Sequence, residues 1–202
     1  MPKRIERFRR VFATLGHSAR GSFVRGVPLK PADSPLSGVG SIDKGGRYNA
    51  KGAFEILYFA NHADTMLRET RIVRNDSAGN PITVPTRPYV LISLHYEFSH
   101  VIDLNDSHVQ AQLGITTADL HCLWEVAVLN GVTPITQELG SAARAAGIEA
   151  IVVPSAQHPG YSNIDVIKDQ LLDTSFVRIH DPEGFPLGTP IEIRGSRKKR
   201  HA

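Results

Sequence analysis

Lys44-Gly45-Gly46-Arg47-Tyr48-Asn49 sets two glycines against an arginine, an aromatic ring and an amide inside a polar loop. Glycine lets the backbone take positive φ angles and approach a ligand closely. The arginine carries a permanent charge and five donors in a fixed fork, which suits a phosphate or a carboxylate. The loop leads into Glu55–Ala60, whose apolar residues predict a buried strand. The stretch therefore indicates a loop for an anionic ligand beside a core strand.

The composition fits one globular domain. The chain has 202 residues, of which 41% are hydrophobic and 21% are charged, enough for a real core. Its one cysteine, Cys122, excludes an intramolecular disulfide and fits a reducing cytoplasm. The charged N-terminus lacks the apolar segment of a secretory signal, and no apolar run approaches the ~18 residues of a membrane span. We therefore expect a cytoplasmic protein with no membrane partner.

Basic residues concentrate at both ends of the chain, whose net charge is +3. Residues 1–10 carry five basic residues against one acid, and residues 194–201 carry no acid. This pattern is typical of a contact with nucleic acid or an acidic partner, but solvated tails show it too. We predict a basic, helical N-terminal extension over 1–20, a main domain over 21–194 and a disordered basic tail over 195–202.

Hydrophobic periodicity and turn residues predict an α+β fold with partly segregated strands and helices. The predicted helices span 3–15, Ala63–Arg74, Asp106–Leu113, Thr116 or Thr117 to Asn130, and Thr136–Ala146. The predicted strands span Ser22–Val27, Glu55–Ala60, Tyr89–Phe98, Glu149–Val153, Ile164–Ile167, Ser175–His180 and Pro190–Ile193, and Val101–Leu104 is a short strand or the entry to a turn. Pro28–Asn49 is a long loop, and long loops are often functional.

Four polar residues are candidates for chemistry, and each has a plainer interpretation. Arg47 could be a surface arginine in a glycine turn, and Tyr58 a core tyrosine whose hydroxyl is bonded at the edge. Glu69 lies about 200° around its helix from Leu67, so helical geometry favours a solvated position. Ser155 follows a core strand, where a turn serine is as common as a functional one. The scattered histidines have no metal-binding spacing, so no metal is expected.

Several short motifs, in one order, resemble the RES domain family of bacterial toxins, named for Arg, Glu and Ser. The match runs from about Ser22 to about Ile179. Its main motifs are Phe23-Val24-Arg25, Gly45-Gly46-Arg47-Tyr48-Asn49, Ile56-Leu57-Tyr58-Phe59-Ala60, Met66-Leu67-Arg68-Glu69, and Val153-Pro154-Ser155-Ala156 with Pro159-Gly160 and Asn163. Many motifs in one order are far more specific than any one of them.

The resemblance implies a fold related to ADP-ribosyltransferase toxins, with a mixed sheet split around an NAD+ cleft and helices on its flanks. It implies a toxin of a toxin–antitoxin module that cleaves the bond between nicotinamide and ribose in NAD+. NAD+ would be the substrate, and no metal would take part. The implied partner is an Xre-type helix-turn-helix antitoxin that covers the active site, with DNA contacted only through that partner.

The resemblance also implies roles for individual residues. Arg25 and Arg47 would bind the NAD+ phosphates, and Tyr58 would stack near nicotinamide. Glu69 would hold the ribose hydroxyls and stabilise positive charge on the ribose, while Ser155 would orient Glu69 or the substrate. The remaining residues expected to bind NAD+ are Gly46, Tyr48, Asn49 and Asn163. Other ADP-ribosylating toxins have the order Arg, Ser, Glu, so the role of Ser155 cannot be read from chain order.

Two alternatives stay open at this stage. The first is an ADP-ribosyltransferase that modifies a host protein instead of passing ADP-ribose to water or phosphate. The second is a non-catalytic, basic module that binds nucleic acid through its ends and whose binding weakens with salt. The second alternative leaves the set of Arg47, Tyr58, Glu69 and Ser155 without an explanation.

Overall fold

The fold is known from a computed structural model, which describes residues 2–28, 35–84, 87–183, 185 and 189–198. The helices of these residues are α1 Lys3–Leu15, α2 Val39–Lys44, α3 Ala63–Glu69, α4 Ser107–Leu113, α5 Thr117–Leu120, α6 Trp124–Leu129 and α7 Ile135–Ala146. The strands are β1 His17–Pro28, β2 Ile56–Ala60, β3 Val73–Asn75, β4 Pro81–Thr83, β5 Tyr89–Asp103, β6 Ala150–Pro154, β7 Ser162–Ile167, β8 Phe176–Ile179 and β9 Glu192–Arg194.

The long strand β5 organises a mixed seven-stranded sheet in the order β1-β2-β7-β6-β5-β8-β9. One edge of β5 pairs with β1 over most of its length. Along the other edge, β8 pairs with Leu94–Glu97 and β6 pairs in parallel with Val101–Asp103. The strands β6-β7-β2 and the strands β8-β9 therefore form two branches of the sheet on the same edge of β5. This architecture confirms the predicted α+β fold with a split mixed sheet.

Alternation along the strands divides the core between the two faces of the sheet. In β2, Ile56 packs with one buried cluster, whereas Leu57 and Phe59 pack with the other. Tyr58 packs against the cluster of Ile56, on the face that the helices α1 and α7 cover. A polar side chain that alternates with apolar ones on β2 is thus directed to the helical face.

Both basic ends contact the rest of the protein within the described residues. In α1, Phe8 and Phe12 are buried in the same cluster as residues of α7, and Arg4 forms an ion pair with Glu138. Near the other end, Arg197 donates hydrogen bonds to two backbone carbonyls, those of Gly147 and Gln170. Residues 199–202 of the predicted tail lie outside the described residues, and the division into extension, domain and tail stays a prediction.

Several predicted elements differ from the observed ones. The helix predicted over Ala63–Arg74 ends at Glu69, and the segments predicted separately as Tyr89–Phe98 and Val101–Leu104 are one strand, β5. The loop predicted over Pro28–Asn49 contains α2, while its residues 29–34 lie outside the described residues. Arg71, just beyond α3, has a φ of 62°, and the N–H of Ile72 donates back to the carbonyl of Leu67, which closes the helix.

The helix predicted through Asn130 is broken into α5 and α6. A capping box of Thr116 and Asp119 starts α5, as the threonines suggested. At the break, the guanidinium of Arg47 donates to the carbonyls of Leu120 and Cys122, two carbonyls that a continuous helix would direct to its own N–H groups. The apolar residues after the break are consequently exposed.

Gly140 offers a test of how the site loop is supported. A Cβ at Gly140 would overlap the backbone carbonyl of Tyr48, because α7 packs directly on that loop. We expect Gly140→Ala to lower the free energy of unfolding by about 1–3 kcal/mol, the usual cost of overpacking, as measured by urea unfolding. Gly40→Ala is the matched control, since none of the described residues that it could meet has an atom within 4 Å of its added Cβ. Equal stability of the two variants would contradict this packing.

Candidate active site

A cavity of about 410 Å³ brings residues from distant parts of the chain together on the helical face of the sheet. We call it the Glu69 cavity. Of the predicted site residues, its lining includes Arg47, Tyr48, Tyr58, Glu69 and Asn163. The other lining residues are Arg71, Cys122, Leu123, Trp124, Glu125, Val126, Val153, Pro154, Ala156, Gln157 and Asp165.

Two hydrogen bonds fix the position of the Glu69 carboxylate in the cavity. Glu69 is the last residue of α3, and the ends of β6 and β7 lie against it. Its Oε1 accepts hydrogen bonds from the Ser155 hydroxyl at 2.6 Å and from the Asn163 amide at 2.7 Å. Glu69 is half-buried, so the solvated position that helical geometry favoured is observed only in part, because that geometry takes no account of partners from other segments.

Ser155 lies directly behind this carboxylate and is 1% exposed. Besides donating to Glu69, its hydroxyl oxygen accepts from the backbone N–H of His158 at 3.0 Å and, more weakly, of Gln157 at 3.3 Å. The turn after β6 and the catalytic candidate are thus joined through one hydroxyl. Of the two roles that the resemblance implied for Ser155, this contact matches the orientation of Glu69.

One side of the Arg47 guanidinium is hydrogen-bonded to the backbone, and the other side is available to a ligand. Its Nη1 donates to the carbonyls of Leu120 at 3.1 Å and Cys122 at 2.8 Å. Its Nε and Nη2 make no hydrogen bond to the described residues, and these two nitrogens form one edge of the guanidinium fork. A fork edge of this kind binds two oxygens of a phosphate or carboxylate at once.

A chain of hydrogen bonds positions the glycine loop against β2. The Tyr58 hydroxyl donates to Oδ1 of Asn49 at 2.6 Å, and the Asn49 amide donates to the carbonyls of Ser41 and Phe54. Burial, and next the nearby Asp165, raise the pKa of Tyr58 well above its usual value, so the hydroxyl keeps its proton. Gly46 is required here, because a Cβ at this position would overlap the Tyr58 hydroxyl.

Arg25 does not line the Glu69 cavity. It lines a second cavity of about 560 Å³, the Arg25 cavity, and Tyr58 belongs to the walls of both. Arg25 Nη2 donates to the Ser37 carbonyl at 2.7 Å, whereas its Nη1 is buried without a hydrogen-bond partner among the described residues. Burial lowers the pKa of Arg25 to about 10, which leaves the guanidinium charged at neutral pH.

Asp165 is a site residue that the motifs missed. It is 1% exposed, lines the Glu69 cavity, and its Oδ1 has no hydrogen-bond partner within the described residues. Burial raises its pKa well above the usual value, and the charge of Glu69 raises it further, while Arg47 acts in the opposite sense. The signal was present in the sequence, as an acid inside the apolar run Ile164-Asp165-Val166-Ile167 of a predicted strand.

Other site types were sought in the same residues. Across the described ranges, no group of three or more His, Cys, Asp or Glu side chains is placed to hold a metal ion. Within those ranges, every helix is too short or too polar to cross a bilayer. Cys122 lines the Glu69 cavity and is half-buried.

Replacing Ser155 tests its structural role. Ser155→Ala would remove one of the two hydrogen bonds to Glu69 Oε1 and would leave the backbone N–H groups of Gln157 and His158 without this acceptor, in a part-buried setting. We expect the free energy of unfolding to fall by about 1–3 kcal/mol, as measured by thermal and urea unfolding. Ser77→Ala, at an exposed turn, should stay within about 0.5 kcal/mol of the parent. A Ser155→Ala variant as stable as the control would contradict the hydrogen-bonded arrangement.

Comparisons with known proteins agree with the motifs and the fold. The family model described as RES domain matches residues 23–183. Among solved structures, the chain is similar to one in the M. tuberculosis MbcT-MbcA toxin-antitoxin complex, with a TM-score of 0.53, 17% sequence identity, and coverage of 81% of this chain and 80% of that one. A comparison with curated proteins gave no match. Since the family model matches most of the sequence, this chain belongs to the RES domain family.

Proposed function

We propose that this protein cleaves the bond between nicotinamide and ribose in NAD+ and acts as the toxin of a toxin–antitoxin module. The observation that carries the proposal is the fixed carboxylate of Glu69 in a cavity that also contains the free fork edge of Arg47 and the ring of Tyr58. Membership of the RES family supports it. ADP-ribose would pass to water or phosphate.

The chemistry requires a fixed negative charge beside the ribose. When the bond breaks, its electron pair stays with nicotinamide, which leaves as a neutral molecule, and the ribose becomes an oxocarbenium-like cation, as in glycoside cleavage. Glu69 suits this role because both of its hydrogen bonds go to Oε1, and Oε2 makes none with the described residues. Oε2 is then available for a ribose hydroxyl and for the developing charge.

The two cavities share Tyr58 as a lining residue, which supports a dinucleotide that extends over both. We assign the nicotinamide riboside half to the Glu69 cavity, with Tyr58 near the ring and the fork edge of Arg47 on a phosphate. The other half would extend past Tyr58 into the Arg25 cavity, where Lys44 and the unpartnered Nη1 of Arg25 offer further positive charge. Arg25 and Arg47 would therefore act on opposite sides of Tyr58.

An antitoxin partner fits the surface around the cavity entrance. In and beside α6, Leu123 is 76% exposed and Leu129 is 84% exposed, and Leu123 also lines the Glu69 cavity. Exposed apolar residues in a group of this kind mark surfaces for protein contacts. The structural neighbour MbcT is a toxin in complex with MbcA. We propose that a helix-turn-helix antitoxin of the Xre type covers α6 and the cavity beside it.

The alternatives differ in their support. Transfer of ADP-ribose to a host protein uses the same first step, and the described geometry fits it equally. Nucleic-acid binding by the basic ends has less in its favour, because Arg4, Arg9 and Arg10 are paired with glutamates and Arg197 with backbone carbonyls. No observation favours that module over an enzyme.

Glu69→Gln tests the enzyme. It keeps the shape of the side chain and removes the charge that would stabilise the ribose cation. We expect cleavage of NAD+ to fall by ~10²–10³, and induction of the parent chain alone, but not of the variant, to deplete cellular NAD+. Glu97→Gln, the same change at an exposed position on β5, should behave like the parent. Undiminished NAD+ loss with Glu69→Gln would refute the role of Glu69.

The acceptor is found with NAD+ labelled in its adenosine half and incubated with lysate. Soluble labelled ADP-ribose or its phosphate ester supports the proposed reaction. Label on a protein band supports the transferase alternative instead. If the parent chain releases no label and leaves NAD+ intact, the enzyme assignment itself is wrong.

Leu129→Glu tests the partner surface, because Leu129 is exposed and does not line the Glu69 cavity. We expect the variant to keep its toxicity, and the protein encoded beside it to bind about 10-fold more weakly, since a charge would enter an apolar contact. Growth under co-expression and affinity measurement report the two effects. Ile82→Glu, also at an exposed apolar position but on the β3–β4 hairpin, is the control. Equal protection against both variants would contradict this surface.

A further inference from the structure

The inference concerns Asp165 and rests on the proposed function. Asp165 lies at the centre of β7, opposite Tyr58 of β2 on one side and Ile151 of β6 on the other. Strand alternation directs Asn163 and Asp165 to the same face of β7. Asn163 uses that face to bond Glu69. Asp165 is therefore a second acid beneath the same cavity, two residues further along the strand.

The surroundings of Asp165 do not satisfy its hydrogen-bonding capacity. No ion pair to Asp165 occurs among the described residues, and its buried Oδ1 lacks a hydrogen-bond partner there. The hydroxyl of Tyr48, in the same cavity, is likewise buried and unpartnered within the described part of the chain. Buried polar groups normally have partners, because an unpaired one costs about 1–3 kcal/mol. A buried, unpartnered acid in the wall of a cavity is a candidate for binding a ligand group.

The protonated form of Asp165 determines which ligand group fits. Burial and the charge of Glu69 raise the pKa of Asp165, so the neutral acid is favoured. A neutral carboxyl presents one O–H donor and one C=O acceptor side by side. A primary carboxamide presents the complementary pair, an acceptor and an N–H donor. A carboxylate presents acceptors alone and would meet the C=O of Asp165 with like polarity.

We propose that Asp165 binds the carboxamide of the nicotinamide group through two hydrogen bonds and selects nicotinamide over nicotinic acid as the leaving group. A neutral residue is suited to this position. The nicotinamide ring of NAD+ is cationic before cleavage and neutral after it, so a negative charge beside the ring would stabilise the substrate more than the transition state. Neutral Asp165 binds the carboxamide without adding such a charge, and Glu69 supplies the negative charge near the ribose.

The test compares NAD+ with the dinucleotide that carries nicotinic acid in place of nicotinamide. The full chain is made by cell-free synthesis as the parent, Asp165→Asn, Asp165→Leu and the exposed control Asp173→Asn. Each kcat/KM is measured for both substrates, and the ratio is the readout. This ratio does not depend on the folded fraction of a variant. A contact of Asp165 with adenine would not change this ratio either, because both dinucleotides contain adenine.

We expect the parent and Asp173→Asn to favour NAD+ by about 10- to 100-fold, the worth of one or two buried hydrogen bonds. Asp165→Asn should still cleave NAD+, because an amide also pairs with a carboxamide. Asp165→Leu should lose about 10- to 100-fold on NAD+ and bring the ratio close to one. If Asp165→Leu cleaves NAD+ with the parental ratio, the inference is overturned and the proposed function stands.

A second measurement separates the inference from the reaction. Binding of free nicotinamide and of nicotinic acid to the parent chain and to Asp165→Leu is followed by ligand-observed NMR. Should the parent cleave neither dinucleotide, the proposed function fails. Preferential binding of nicotinamide that Asp165→Leu abolishes would still support the carboxamide site. Equal binding of the two compounds, or binding that Asp165→Leu leaves unchanged, would overturn it.

Discussion

Two hydrogen bonds to one oxygen of Glu69 tie three segments of the chain into a site. The donors, Ser155 and Asn163, follow Glu69 by 86 and 94 residues, and both belong to the β6–β7 region of the sheet. Without them, a glutamate at the end of a short helix would be free to turn toward water. Because these bonds use only Oε1, the carboxylate is oriented and its second oxygen is left for a ligand. A preorganised charge of this kind needs no rearrangement when positive charge develops beside it.

A small number of hydrogen bonds also positions the glycine loop. Gln137 of α7 donates to the carbonyl of Gly46 at 2.9 Å, and Asn49 joins the loop to the Tyr58 hydroxyl. Each partner lies on a regular element, so the loop depends on the helix and the strand for its geometry. Arg47 lines the candidate site and also donates to the carbonyls of Leu120 and Cys122 at the break between α5 and α6. Removing its guanidinium would affect the segment between α5 and α6 as well as the candidate site.

The strands and the motif residues were predictable because their signals are local. Alternation along Tyr89–Phe98 and the apolar run before Ser155 indicate core strands without reference to other parts of the chain. The position of Glu69 was not predictable in this way, since helical geometry gives its direction relative to Leu67 and no information on which strands cover it. The break after Leu120 was missed for the same reason. At that break the Leu120 carbonyl accepts a hydrogen bond from Arg47, 73 residues earlier in the chain.

Asp165 and Glu69 show how one cavity can place two acids in different environments. The resemblance drew attention to Glu69, whereas Asp165 interrupts an apolar run and could have been found as an acid in a core strand. The sheet buries Asp165 completely between Tyr58 and Ile151, while Glu69 stands at the rim on α3. Burial and the neighbouring charge both favour the neutral form of Asp165. Two carboxyl groups in one cavity can in this way serve as a hydrogen-bond donor and as a fixed charge. The same division of roles occurs where the environments of two neighbouring acids move their pKa values apart.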